Sequence, residues 1–600
     1  MSKSVYLLCL LLSLYSSSFA ISHKAYTKRL KTALKADKAD KFFRLYEKNY
    51  LKTCKTLLAS KDKENFDKLR RINRQYRFNK LIEANQLSEL PPILLTLLKN
   101  EVLWSGLVDQ VQDKDVFPKV LDHIATIHKL DPKDFEKFYK LTLAIAVVWD
   151  TKRPKIHHQI GRKFLDYKTT VSDIYNYYKE LYSSSKRAIH LKKLSTNDLV
   201  FVVDTPVPIT ELEWALKEVR GKAKKWGSHY SAIKYDTPRL AANQMTWPQY
   251  NGDYSLENID EFGGICVDQA YFTVISGRAH GIPSMFFTGS GRDGGHAWAG
   301  IFLAKNDWNT EIGKYEQSNF AVGTTRNPQT DEMLSNHDLE LSCNRKYSRS
   351  SYLKSKPYIE ATANLSKLKQ EKLAFQFASF AKKQAPLYEQ PWLAIELFYK
   401  TQKKVELLEK LFKDKLRLFK KYPDIYTSTE RSYALWLLEQ KQVEAAEKIL
   451  KKSFKKGKGD RIDLMWGNAL AYYKIFEDAK NIKDATKTLE RFISDNYKEM
   501  SNIFPAFNEY YHFAKRNKLE KDSCSFVKKI YEKMIRLSSP LNREALMQIM
   551  IKFYKLEKDQ RGEKKIKKDL EKFHKKKAKE TARSKRKDKR RQQEDSDYNY

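Results

Sequence analysis

The sequence predicts an α+β protein: a mostly α-helical chain of 600 residues with one α+β domain near its middle. Three observations point there. Glycine and proline are scarce, at 20 and 17 residues, where an average chain gives about 12% to the two together, so turns are few and helices long. Eleven of the twenty glycines fall between Gly263 and Gly323, which marks one segment built differently, because glycine supplies positive φ and close backbone approach. On both sides of that segment, apolar residues recur at helical spacing. With 41% hydrophobic and 31% charged residues, the chain is neither a disordered polymer nor a membrane bundle.

The elements follow in order. The apolar stretch Val5 to Tyr15 is too short for a bilayer, which takes about 20 residues. Lys3 precedes it and Ser18-Phe19-Ala20 supplies small residues for cleavage, so residues 1–20 read as a removed export signal and the mature protein as periplasmic or extracellular. No cysteine follows the cut to accept a lipid. Residues 21–195 read as a helical domain, with Lys24 to Lys52 and Asp134 to Val148 at helical spacing and Pro91-Pro92 as a break. Residues 196–340 hold the α+β domain. There Leu199 to Val207 reads as a β-branched strand ended by prolines, and Glu211 to Lys225 reads as a helix. Residues 341–555 return to helix. Ala434, Leu435, Ala446 and Leu450 are echoed by Ala469, Leu470, Ala485 and Leu489. That offset lies near the tetratricopeptide (TPR) period of 34 residues, so the region reads as TPR-like repeats. Residues 556–600 form a basic tail.

The chemistry concentrates in the glycine-rich segment. In Gly263-Gly264-Ile265-Cys266-Val267-Asp268-Gln269-Ala270, the spacing of Val267, Ala270, Tyr271, Val274 and Ile275 predicts an amphipathic helix that Cys266 opens. The unpaired N–H groups and dipole at that end favour a thiolate, and the paired glycines leave room for a substrate carbonyl. The backbone N–H of Cys266 is the safer oxyanion donor, with Trp247 or Gln249 as alternatives. After His280-Gly281-Ile282-Pro283, a strand from Ser284 to Thr288 and a glycine-rich loop lead to His296-Ala297-Trp298-Ala299-Gly300-Ile301. That run is apolar on both faces, as in a central strand. His296 at its entry can take the thiol proton and return it to a leaving amine. Fifteen residues on, Glu311 sits in the expected next strand, where a carboxylate can orient an imidazole. Asp307 and Asn309 compete for that place.

Other motifs carry less. Gly289 to Gly294 fits G-x-G-x-x-G, but a strand rather than a helix follows it. His157-His158 lacks a third metal ligand, no Cys-x-x-Cys pair is present, and His280 reads as a helix-end residue. No cofactor and no metal site is expected.

The combination GGICVDQA, HGIP and GGHAW with a following Trp and acidic residue resembles the transglutaminase-like domain, a Cys-His-Asp fold related to papain-type cysteine proteases. The resemblance covers roughly residues 200–330 and is similar in context to exported bacterial proteins that set such a domain among long helices. It implies Cys266 as nucleophile, His296 as base and Glu311 as the acidic member, where the family usually has Asp. It implies a peptidase, an amidase or a protein-glutamine transamidase acting on a peptide or protein substrate.

The formal net charge is +39. Residues 551–600 contribute 20 basic against 10 acidic residues, so the tail suits an anionic polymer or a membrane surface and names no specific nucleic acid. A reading from another class is therefore a non-catalytic helical-repeat scaffold that binds a protein or a polyanionic partner.

Overall fold

The computed structural model describes residues 21–59, 65–154, 156–157, 159–160, 168–241, 246–247, 254–291, 294–304, 307–316, 319–343, 349–456 and 461–597. The expected export signal, His158 and Gln249 lie outside them. The architecture is α+β, mostly helical with a small antiparallel sheet. No described helix is long and apolar enough to cross a membrane.

The N-terminal helices include His23–Lys35, Ala39–Ala59, Asn65–Ala84, Phe117–Leu130, Tyr139–Val148 and Val171–Ser183. Pro91 caps the short helix Pro92–Leu97, as the break at Pro91-Pro92 predicts. The stretch from Asp134 enters its helix only at Tyr139, and residues Leu141 to Val148 are all buried there.

The stretch expected as a strand, Leu199 to Val207, instead starts inside the helix Thr196–Val203, and residues 204–207 follow it outside any strand. A capping box overrides the β-branched composition: Ser195 Oγ accepts from Asp198 N at 3.2 Å, and Asp198 Oδ2 accepts from Ser195 N at 2.9 Å. Leu199, Val200, Val202 and Val203 are buried, and their helix packs on Tyr139–Val148. Tertiary burial thus decides what propensity leaves close. The helix predicted over Glu211 to Lys225 is shorter, Ile209–Glu218, followed by one 3-10 turn at Ala223–Lys225.

Among the described residues seven short strands follow: β1 Ser284–Gly291, β2 Gly294–Ala304, β3 Asp307–Ile312, β4 Tyr315–Glu316, β5 Asn319–Phe320, β6 Val322–Arg326 and β7 Met333–Leu334. The main sheet runs β3-β2-β1-β6-β7, antiparallel throughout, while β4 and β5 pair separately. Helix Cys266–Ala279 lies between β1–β2 on one side and helices Thr196–Val203, Ile209–Glu218, Ser228–Ala232 and Leu256–Phe262 on the others. Its expected amphipathic character does not hold, because all 14 residues are buried. Two of its hydroxyls are satisfied within the helix: Thr273 Oγ1 donates to Gln269 O at 2.8 Å and Ser276 Oγ to Phe272 O at 2.6 Å. One hydrophobic core runs from Tyr26 to Ile312 and joins the N-terminal helices to this helix and the sheet.

A second core runs from Ala378 to Leu570. It belongs to an array of helical hairpins, six among the described residues: Arg349–Lys367 with Glu371–Gln384, Glu389–Thr401 with Val405–Leu418, Pro423–Glu439 with Val443–Lys456, Ile462–Asp478 with Ile482–Asn496, Phe504–Arg516 with Glu520–Leu537, and Pro540–Glu557 with Gln560–Asp597. In every hairpin a lysine turns the chain at positive φ two residues before the second helix: Lys369, Lys403, Lys441, Lys480, Lys518 and Lys558. The residue after the lysine donates back across the turn, as in Gln442 N to Leu437 O and Asn481 N to Phe476 O, each 2.8 Å, the pattern of a Schellman C-cap. The segment read as a tail enters the second core through Ile566 and Leu570. A third cluster packs Tyr50, Cys54, Leu69, Ile72 and Tyr76 against Ala361, Leu365, Ala374 and Phe377, and so stitches the array to the N-terminal helices.

Candidate active site

Cys266 is the first residue of helix Cys266–Ala279, as its sequence position predicts, and keeps 6% of its surface exposed. The two glycines before it serve the backbone rather than a substrate. Gly263 has φ +76°, and a Cβ there would lie 2.2 Å from Lys234 O. Gly264 N donates to Lys234 O and Asp236 N donates to Gly264 O, both at 2.9 Å, so the chain runs as a one-residue bridge beside Tyr235. A Cβ on Gly264 would meet Asp268 Cβ at 2.4 Å. Both positions therefore need glycine so that the thiol-bearing helix can start against a packed neighbour.

Asp268 closes that start. Its Oδ2 accepts from Ile265 N at 2.8 Å and from Arg239 Nη1 at 2.5 Å, and its Oδ1 accepts from Tyr254 OH at 3.0 Å. The side chains of Asp268 and Arg239 are both 0% exposed. Burial pushes the Asp268 carboxyl above the ordinary range, against the pull of Arg239. Tyr254 OH lies 2.8 Å from His157 Nε2, whose ring stacks on Phe286. Trp247, a candidate oxyanion donor, is buried with the Arg239 guanidinium 5.5 Å from its ring. Asp268 and Arg239 were not singled out from sequence. The Asp three residues into a helix was a visible capping signal, but its arginine partner is 29 positions upstream.

At the other end of the helix, Arg278 Nη1 meets Asp204 Oδ2 at 3.1 Å and Arg278 Nη2 donates to Ser284 O at 2.9 Å. Arg153 Nη2 completes the cluster at 2.9 Å from Asp204 Oδ1. Burial opposes ionisation of Asp204, yet Arg153 and Arg278 hold it below the usual carboxylate range.

His296 stands near the start of β2, opposite Gly289 of β1, on the sheet that packs against the Cys266 helix. Its Nε2 lies 2.7 Å from Gly313 O, and its ring stacks on Trp298 at 6.0 Å and 20°. Trp298 Nε1 donates to Thr310 O at 3.0 Å, which ties β2 to β3. Glu311 lies on β3, where Trp308, Thr310 and Ile312 turn inward and Asp307, Asn309 and Glu311 turn outward. Its carboxylate is 3.2 Å from Lys314 Nζ and accepts from Tyr315 OH at 3.4 Å, and its side chain is 54% exposed. His280 meets main-chain carbonyls through both ring nitrogens, Lys186 O at 2.9 Å and Ala215 O at 3.1 Å, a structural role that agrees with its helix-end position.

Among the described residues no cluster of His, Cys, Asp and Glu could hold a metal ion. Cys54, Cys266 and Cys524 form no disulfide. Burial pushes the Cys54 thiol up to about 12 and raises Cys524 as well. The chain matches no family model and no curated protein.

Proposed function

We propose that this is an exported thiol acyl-transfer enzyme with a transglutaminase-like, papain-like α+β domain and a TPR-like C-terminal array. The observation that carries the reading is the pairing of elements: a cysteine opening a buried helix and, on a strand of the sheet packed against that helix, a histidine whose Nε2 is already fixed by an acceptor. Sγ of Cys266 attacks an amide carbonyl of a peptide or protein substrate. The C–S bond forms, the thiol proton passes to His296, and the C–N bond breaks as His296 protonates the departing amine. Water then gives its proton to His296 and attacks the thioester, releasing acid and thiol. A lysine amine in place of water would give a cross-link, and hydrolysis is favoured because no dedicated amine site stands out. The chemistry uses no cofactor.

The test is mass-spectrometric mapping of iodoacetamide adducts on the full chain at neutral pH, joined to an activity assay with Cys266→Ala. Cys266 should be modified ahead of Cys54 and Cys524, whose thiols burial keeps protonated. A Cys266→Ala protein that still turned over an amide or cross-linked a glutamine substrate would end the proposal.

A second reading, a scaffold for a protein or polyanion, draws on the lysine-rich final helix Gln560–Asp597. Tight, salt-sensitive retention on heparin that disappears with residues 580–600, together with an inert Cys266, favours it.

A further inference from the structure

We infer that the third position of the site is occupied by a peptide group: the main-chain carbonyl of Gly313 acts as the positioning group that fixes the tautomer of His296. This rests on the reading of His296 as the acid–base residue. A carbonyl can only accept, so the 2.7 Å contact assigns the proton to Nε2 and leaves Nδ1 as the lone pair that can receive the thiol proton. The acceptor is held from several sides. Gly313 has φ +75°, and a Cβ there would fall 2.2 Å from Cζ and 2.3 Å from Cε1 of Tyr230. The Tyr230 ring thus fills the space that any other residue would use, and its hydroxyl donates to Ala297 O at 2.8 Å, beside His296 on β2. Lys314 N donates to Glu311 O at 3.2 Å and closes the turn that presents the carbonyl. Ring, strand and turn form one clamp.

Glu311 sits beyond this clamp. The alternation of β3 turns it away from the core with Asp307 and Asn309, and its charge is met by Lys314. A carboxylate at the third position would neutralise the imidazolium that forms when His296 takes a proton, whereas Gly313 offers only a dipole. The orientation is kept and the counter-charge is not.

Magic-angle-spinning NMR of the full chain carrying labelled histidine tests this, with the His296 signal assigned by its disappearance in His296→Gln. The neutral ring should show a pyrrole-type Nε2 and a pyridine-type Nδ1, and the exposed substitution Glu311→Gln should leave both signals in place. Gly313→Ala, which drives a methyl into Tyr230, should move them. Should that variant not fold, Tyr230→Phe keeps the ring, removes the bond to Ala297 and should shift the same signals. A pyrrole-type Nδ1 in the parent protein, or a tautomer change in Glu311→Gln, overturns the assignment. Iodoacetamide labelling of Cys266 in the parent protein reports separately on the enzymatic reading, so an inert thiol with an Nε2–H ring would sink that reading and leave the clamp standing.

Discussion

The two cores of this molecule are held by different means. The first, from Tyr26 to Ile312, surrounds buried ionic groups: Arg153, Asp204 and Arg278 at one end of helix Cys266–Ala279, Arg239 and Asp268 at the other. The second, from Ala378 to Leu570, is mainly aliphatic and aromatic, with buried small residues such as Ala434, Ala446, Ala469 and Ala485, and its most enclosed ion pair among the described residues, Lys415 Nζ to Glu389 Oε1 at 2.7 Å, keeps the glutamate 24% exposed. A buried charge is expensive unless its partners are in place, so removing one partner leaves the other as a large cost. In the first core that expense gathers at the two ends of the helix whose start carries the thiol. In the array each hairpin meets chiefly its neighbours, and such stability adds up locally.

The sharpest way to break the contrast is a matched pair of deletions. Asp204→Ala strands two guanidinium groups with almost no exposure and should cost about 3–5 kcal/mol. Leu489→Ala in the array, where Leu489 is 0% exposed, should cost about 2–5 kcal/mol by opening a cavity. Hydrogen exchange read by mass spectrometry distinguishes the two. Asp204→Ala should loosen helices and strands throughout the first core, whereas Leu489→Ala should loosen Ile462–Asp478 and Ile482–Asn496 and their neighbours alone. Array-wide loosening by Leu489→Ala would show that the second body is as cooperative as the first.

The sequence made the two bodies unequally legible, and the reasons are physical. The Cys266 helix and the β2 strand announced themselves because glycine clustering and apolar period are local signals. The Gly264 bridge to Tyr235 and the Asp268–Arg239 pair were hidden, since each joins residues distant in the chain. Gly313 was hidden more deeply: every residue has a carbonyl, so a main-chain acceptor leaves no mark in composition, while Glu311 nearby offered a carboxylate that only strand alternation could discount. Leu199 to Val207 misled because β-branched residues fit a buried helix once Ser195 and Asp198 have started it. In the array only two hairpins echoed each other through Ala and Leu, while the lysine at each turn repeated in a chain already crowded with lysine.

A smaller effect tests the buried-charge side of the comparison through pH. Glu211 lies against the middle of the same helix, its Oε1 accepting from Leu256 N at 3.2 Å and Tyr271 OH at 3.4 Å. Burial pushes its carboxyl from 4.5 up to about 8, and those donors pull the other way. A raised carboxyl favours the protonated form in the fold. Its contribution is therefore complete below pH 4.5 and is lost as pH climbs through 8. Glu211→Gln keeps the Oε1 acceptor without the ionisation, so the variant should match the parent near pH 4 and gain on the order of 1–3 kcal/mol over it at pH 9. Thermal melts at the two pH values measure this, and a gap that did not widen with pH would mean that water reaches the carboxylate.

The smallest effect belongs to the array and turns on sign. Lys441 sits at φ +61°, a conformation that costs an ordinary residue about 1–2 kcal/mol. Glycine there escapes that cost but gives back roughly 0.5–1 kcal/mol in unfolded-chain entropy. The lysine has a compensation of its own: it follows directly on the C-cap of helix Pro423–Glu439, where a cation gains about 0.3–1 kcal/mol at low ionic strength. At low salt these terms nearly cancel, and Lys441→Gly should leave stability almost unchanged. Salt screens the dipole term and not the backbone terms, so in 1 M NaCl the variant should become the more stable by about 0.5 kcal/mol. Denaturation midpoints at the two salt concentrations decide it. A variant less stable at both would mean that the lysine makes a specific contact across the turn.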